Sequence, residues 1–143
     1  MNAQKSKLFH LVVYGCLGIA CEVLFTATKT LVLNINSWSE FLDLRGQSYV
    51  WMFPIYGSAA WLIPLFYSKI SKYPAIMRPI IFALGIWTVE FITGFILEKV
   101  LGACPWYYES NWSILGFVHL GYFPFWVLFG WILEKLHLVL NDE

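Results

Sequence analysis

Charge is scarce in this sequence, and its scarcity limits what the protein can bind. Only 13% of the 143 residues are charged, against roughly 25% in an average soluble domain. The nine basic and nine acidic residues give a formal net charge of zero, and neither a basic run nor an acidic tail occurs. This balance offers no electrostatic basis for nucleic acid binding, so we expect none.

Cysteine is also scarce, and a cleavable leader is not recognisable. The three cysteines are odd in number, and Cys16 and Cys21 lie in one apolar stretch, so we expect free thiols, Cys104 included. Lys5 and Lys7 precede an apolar run that is longer than a signal-peptide core and lacks an obvious cleavage site. We therefore predict a retained signal anchor at this end of the chain.

Apolar side chains are abundant, since 59% of the residues are hydrophobic and 20% are aromatic. Four apolar stretches are long enough for a helix that crosses a bilayer, which needs about 20 residues. Pro54 and Pro124 predict kinks in the second and fourth stretches. We predict an all-α polytopic membrane protein, a four-helix transmembrane bundle that forms a single domain over residues 1–143. The predicted spans are residues 8–33, 49–68, 76–101 and 113–133.

The distribution of basic residues predicts the topology, because Lys and Arg are enriched in cytoplasmic loops. Four spans place both termini on one side. That side carries Lys5, Lys7, Lys69, Lys72, Arg78 and Lys135, and the other side carries Lys29, Arg45 and Lys99. We therefore predict that the N- and C-termini are both cytosolic and that the aromatic loop between the third and fourth spans is on the opposite side.

The two halves of the chain share a pattern that indicates a 2+2 hairpin pseudo-repeat. The segment from Gly18 to Glu22 resembles the segment from Gly85 to Glu90 apart from one inserted residue. Each glutamate helix is followed by an aromatic-rich loop and then by a proline-containing helix. Such halves would be related by an axis along the membrane normal. True duplication and chance similarity both stay open.

Glu22 and Glu90 are the most informative residues, because each lies inside a long apolar stretch. A carboxylate at membrane depth costs on the order of 2.5 to 3.5 kcal/mol on insertion scales, so it needs a partner, a proton or a cavity. From the helix starts, a rise of 1.5 Å per residue places both roughly 21 Å into the bilayer. Tyr56 and His119 reach about the same level from the opposite face. We therefore predict one polar layer, into which Arg45 folds to pair with a glutamate.

Three interpretations of this layer stay open. A satisfied polar cluster would only fix the register of the helices. A proton relay or ligand site is the second, because ionisable residues inside membrane segments usually mark function. A metal site of Glu22, Glu90 and His119 is the third, since carboxylate and imidazole groups are suitable ligands. We predict no metal and no cofactor.

A set of motifs in a fixed order carries a resemblance to a known family. The motifs are EVLFTA at 22–27, IYG at 55–57, EFITGFIL at 90–97 and ACPW at 103–106, followed by Tyr108. Over residues 10–137 the chain resembles the transmembrane protein 229 family, which is grouped with bacterial proteins labelled type IV ABC-transporter permeases. The resemblance implies a small multi-span membrane protein with Trp106 and Tyr108 in an outer loop. Relatives commonly have Asp where this chain has Tyr107, so the acidic group of that loop is absent here unless Glu109 replaces it.

These observations predict a binding or accessory protein of the membrane rather than an enzyme, because no nucleophile and base occur in a recognisable context. The polar layer would hold a partner helix, a lipid head group or a small polar ligand. The alternative is a proton- or cation-coupled transport component that works as a homo-oligomer or within a larger membrane complex. The sequence lacks a phosphate-binding Gly-x-x-x-x-Gly-Lys-Ser or -Thr loop that would supply an ATPase. A membrane enzyme that uses Glu or His as a general base on lipid is the third class.

Overall fold

The part of the protein that the structure describes is helical, with one small hairpin. The computed structural model describes residues 3–34 and 45–141, with side chains for 7–28 and 45–141. The helices are α1 (Ala3–Asn34), α2 (Met52–Gly57), α3 (Ala59–Ile70), α4 (Arg78–Leu101) and α5 (Phe123–Leu140). The strands β1 (Ser113–Ile114) and β2 (Val118–His119) pair antiparallel, and a 3₁₀ turn (Leu120–Tyr122) leads into α5. The predicted all-α class is confirmed.

The chain divides into two compact units, residues 1–61 and residues 62–143. The first contains α1, α2 and the start of α3, and the second contains the rest of α3, the hairpin, α4 and α5. Within the first unit α1 packs on α2, and within the second α4 packs on α5. The prediction of one domain over the whole chain stays a prediction.

Glycines allow the close packing of α1 on α2. A Cβ atom on Gly15 would lie 2.8 Å from the ring of Phe53, and a Cβ atom on Gly18 would overlap the ring of Tyr56. Small residues at such contacts let two membrane helices approach closely. Glu22 follows Gly18 by about one helical turn, on the same face of α1. The close contact therefore brings the Tyr56 side chain to the level of Glu22.

The predicted second span, residues 49–68, is interrupted at one residue, where α2 ends at Gly57 and α3 begins at Ala59. Pro54, at which a kink was predicted, is the third residue of α2. The break comes at Ser58, whose hydroxyl donates to the carbonyl of Ile55 at 2.6 Å. The backbone N–H of Trp61 bonds to the carbonyl of Ser58, as in a 3₁₀ turn. A serine that bonds to nearby backbone competes with the helical pattern, which accounts for the interruption.

In the second unit, a glycine and two aromatic rings set the contact between α4 and α5. A Cβ atom on Gly130 would lie 2.7 Å from the carbonyl oxygen of Pro79 and 2.8 Å from the side chain of Phe82. Further along both helices, the rings of Trp87 and Phe123 have centroids 4.7 Å apart. The contact therefore extends from Pro79 to Trp87 on α4 and from Gly130 to Phe123 on α5.

The predicted fourth span was wrong at its start, because the chain at Ser113 forms the hairpin and α5 begins only at Phe123. Leu115 and Gly116 have positive φ angles of 51° and 80°, which make the hairpin turn and cannot continue a helix. Pro124 lies in the first turn of α5, where its missing N–H is not needed, so it begins the helix and does not kink it. His119 consequently lies on β2 and not on a helix.

Three helices are long and apolar enough to cross a membrane within the residues described. They are Lys7–Thr28, Arg78–Leu101 and Leu120–Leu140. They also expose large apolar side chains, such as Leu24 at 66% and Leu128 at 56%. A surface of this kind needs a cover of lipid. The protein is an all-α membrane protein, and the number of its spans stays a prediction.

The glycine contact in the first unit can be tested by a matched pair of substitutions. We expect Gly18→Ala to lower the stability by about 1 to 3 kcal/mol, because the new methyl group overlaps Tyr56. Gly85→Ala is the control, since no described atom lies within 4 Å of its Cβ position on α4. Thermal unfolding in detergent measures both. Equal melting temperatures for the two variants would contradict the close packing.

Candidate functional site

The carboxylate of Glu22 is held by two hydroxyl groups of the first unit. Its Oε2 accepts a hydrogen bond from Ser48 Oγ at 2.9 Å and another from the Tyr56 hydroxyl at 3.1 Å. Glu22 lies on α1, Tyr56 on α2, and Ser48 in the extended segment before α2. The predicted proximity of Glu22 and Tyr56 is therefore present, and Ser48 is a partner that sequence reasoning missed.

A backbone contact holds the Ser48 segment against α1. The N–H of Gln47 donates to Thr26 Oγ1 at 2.9 Å, and Thr26 lies one turn beyond Glu22. Gly46 packs against the carbonyl of Val23 so closely that a Cβ atom would not fit. Glycine is therefore required at this position.

Arg45 begins this segment, and its side chain is exposed. The sequence predicted that Arg45 folds inward and pairs with a glutamate. That pairing stays a prediction.

Glu90 is the more deeply buried of the two glutamates, with 4% of its surface exposed. Its Oε1 accepts a hydrogen bond from the Tyr108 hydroxyl at 3.0 Å. Tyr108 lies in the connection between α4 and β1, and its N–H donates to the carbonyl of Gly116 at 2.8 Å. The hairpin thereby fixes the residue that donates to the buried carboxylate.

Three rings form an aromatic cluster beside Glu90. The Tyr108 ring lies 5.6 Å from His119 and 5.7 Å from Tyr122, both in edge contact, and His119 stacks on Tyr122 at 4.3 Å. All three side chains are half-buried, so the cluster borders the outside of the unit. We call Tyr108, His119 and Tyr122 the aromatic cluster.

The imidazole of His119 has one nitrogen committed to the backbone. Its Nδ1 accepts a hydrogen bond from the N–H of Gly121 at 3.2 Å. In the neutral ring the proton is then on Nε2, which can act as a donor. No group in residues 7–28 or 45–141 hydrogen-bonds to that Nε2, so it is available to a ligand or to water.

The remaining predicted residue, Trp106, lies inside the second unit with 5% of its surface exposed. Next to it, burial raises the pKa of the Cys104 thiol. A hydrogen bond from the Trp106 backbone lowers this pKa in part, and the charges of Glu98 and Glu90 raise it further. The thiol is therefore protonated at neutral pH and is a poor nucleophile. All three cysteines are free, as predicted.

A second buried carboxylate site in the same unit was missed by sequence reasoning. Arg78 Nη1 lies 3.1 Å from Glu134 Oε1, and the Tyr67 hydroxyl lies 3.4 Å from the same oxygen. His137 meets the Tyr67 ring edge-on, with centroids 4.5 Å apart. Glu134 and His137 are only 4% and 3% exposed. This group joins α3, α4 and α5.

The spacing of Glu134 and His137 could have revealed this group. Residues three apart lie on one face of a helix, and the buried Leu133 and Gly130 mark that face as the inner one. A Glu-x-x-His pair is also a ligand pattern of metal-binding bundles. Here the guanidinium of Arg78 already neutralises the carboxylate. Among the described residues no group of three or more His, Cys, Asp or Glu side chains is placed to hold a metal ion.

The structure thus brings the predicted residues together in two sets. Glu22 contacts Tyr56 in the first unit. Glu90 and His119 share contacts with Tyr108 in the second unit. One layer that joins both sets stays a prediction.

These features define an all-α membrane protein that carries buried carboxylates inside its apolar helices. A model of the family described as "Putative ABC-transporter type IV" matches residues 9–142. The chain belongs to this family. No solved structure matches the chain.

The bond between Tyr108 and Glu90 can be tested by removing one hydroxyl group. We expect Tyr108→Phe to lower the stability by about 1.5 to 3 kcal/mol, because a buried acceptor loses its donor. The adjacent and exposed Tyr107 provides the control variant, Tyr107→Phe, which should have little effect. Unfolding is measured again in a Glu90→Leu background, where Tyr108→Phe should lose most of its effect. If Tyr108→Phe lowered the stability equally in the wild type and in Glu90→Leu, the hydroxyl group would not act through Glu90.

Proposed function

We propose that this protein is a non-enzymatic binding component of the membrane, and that the Glu90 site takes a cationic lipid head group or a small amine. One observation carries the proposal: a buried carboxylate lies directly beside the half-buried aromatic cluster. A finer assignment to the transmembrane protein 229 family, with both termini in the cytosol, is part of the same proposal.

The chemistry of the site favours a positive ligand. Glu90 is an acceptor when ionised, and Tyr108 uses its only proton on Oε1. Aromatic faces attract ammonium groups, with energies of about 0.5 to 2 kcal/mol, and rings around a quaternary ammonium are a known recognition mode. The attraction between the ionised carboxylate and a cation is strong at a site with a low dielectric constant. The same charge disfavours anions.

The Glu22 site has a different role in this proposal. Its carboxylate has two hydroxyl donors, Ser48 and Tyr56, and it lies at the contact of α1 with the segment before α2. These bonds support a role in fixing the register of that contact.

Binding can be tested with choline and with its neutral isostere 3,3-dimethylbutanol. We expect choline to quench or shift the tryptophan fluorescence of the purified protein in a saturable way, and the neutral compound not to do so. Glu90→Gln should weaken choline binding at least ten-fold, because the counter-charge is lost. Glu109→Gln is the control, since Glu109 is exposed in the same connection as Tyr108. Equal binding of both compounds, or no saturable binding of choline, would contradict the proposal.

A proton- or cation-coupled transport component is the second candidate, and the family description favours it. Glu22 and Glu90 lie within helices that are long enough to cross a membrane. Because the sequence lacks a phosphate-binding loop, an ATP-driven system would need another subunit. The chain would then act within a homo-oligomer or a larger membrane complex.

Transport is measured with purified protein in liposomes that contain a proton- or cation-sensitive dye. We expect flux in the wild type and a strong loss in Glu22→Gln and Glu90→Gln, because neither amide can exchange a proton. Glu109→Gln should keep the wild-type flux. If both amide variants transport as well as the wild type, the transport role fails.

A further inference from the structure

The connection between α3 and α4, residues 71–77, presents an amphipathic surface that the proposed function does not use. Lys69, in the last turn of α3, and Lys72, at the start of the connection, are both exposed. Tyr73, Ile76 and Met77 are 49%, 82% and 45% exposed. We call these five residues the connector surface. Basic and apolar side chains therefore share one short exposed segment.

The connector has a defined backbone conformation, because the Arg78 side chain bonds both to the connector and to α5. The Nε of Arg78 donates to the carbonyl of Tyr73 at 2.8 Å while its Nη1 pairs with Glu134 on α5. Within the connector, the N–H of Met77 donates to the carbonyl of Pro74 at 2.9 Å. Arg78 therefore links the backbone of the connector to α5, and the apolar side chains of the connector are exposed.

The charge of the connector surface is positive. Glu134 neutralises Arg78, which leaves Lys69 and Lys72 as the charges of this surface. Within residues 45–141 neither lysine forms an ion pair. The surface therefore offers two ammonium groups to an anionic partner.

The position of the surface indicates what that partner is. Arg78 is the first residue of a helix that can cross the membrane, and Ile76 precedes it by two residues. At a rise of no more than about 3.6 Å per residue, Ile76 lies within roughly 7 Å of the end of that helix. That distance falls inside the head-group region of a bilayer.

We propose that the connector surface binds anionic lipid head groups of the bilayer that surrounds the protein. Lys69 and Lys72 pair with the head-group phosphates or carboxylates, and Tyr73, Ile76 and Met77 enter the boundary between head groups and acyl chains. Lysines with apolar neighbours are the usual composition of segments that lie at such a boundary. The proposal is independent of the Glu90 site.

The test compares the wild type with Lys69→Gln/Lys72→Gln. Detergent-solubilised protein is titrated with fluorescent phosphatidylglycerol and, separately, with fluorescent phosphatidylcholine. We expect the wild type to prefer phosphatidylglycerol, and the double variant to lose roughly five-fold in affinity for each lysine. Raising the salt concentration should reduce the preference, because the charges are exposed. Ile76→Ser should weaken the binding of both lipids.

The matched control is Lys99→Gln. Lys99 is an exposed lysine in the last turn of α4, at the end of that helix that is remote from the connector. It should keep the wild-type preference. Equal losses in the control and in the double variant, or an unchanged preference in the double variant, would overturn the proposal. Normal lipid binding by a double variant that loses a co-purifying protein would overturn it as well, and would assign the surface to a protein partner. Thermal unfolding of each variant separates these results from misfolding.

Discussion

The burial of carboxylates in apolar helices is the constraint on which the rest of the structure depends. Lipid offers no hydrogen-bond donors, so each carboxylate must obtain donors from the chain itself. Glu22 obtains them from Ser48 and Tyr56, and Glu90 obtains one from Tyr108. Residues 47 and 48 and Tyr108 therefore lie against the glutamate helices. The close glycine contact positions Tyr56 in the first unit, and the hairpin positions Tyr108 in the second.

The two units meet this requirement in a similar way. In each, the glutamate helix is covered by a non-helical segment, and the first turn of the next helix contains a Phe-Pro pair, Phe53-Pro54 or Phe123-Pro124. The pseudo-repeat stays a prediction. The donors differ, because Tyr56 lies within its helix and Tyr108 lies in a connection. In the second unit the donor is surrounded by further rings, those of His119 and Tyr122.

The α4 and α5 pair carries unlike carboxylates at its two ends. Glu90 has a neutral donor and aromatic neighbours, whereas Glu134 has the guanidinium of Arg78. The ion pair with Arg78 suits the Glu134 end to hold α3, α4 and the connector together. A ligand role for the Glu90 end belongs to the proposed function.

The sequence by itself determined the membrane class, the long helices and the position of Glu22 and Glu90 within them, because apolar length and an isolated charge are local properties. It also predicted the proximity of Glu22 and Tyr56, since the rise per residue places both at about the same depth. Only the tertiary structure decided that His119 lies on a hairpin strand, that Tyr108 donates to Glu90, and that Arg78 pairs with Glu134. The partners in these contacts lie 18 to 56 residues apart in the chain. Periodicity reports which face of a helix a residue occupies, but the fold alone determines what meets that face.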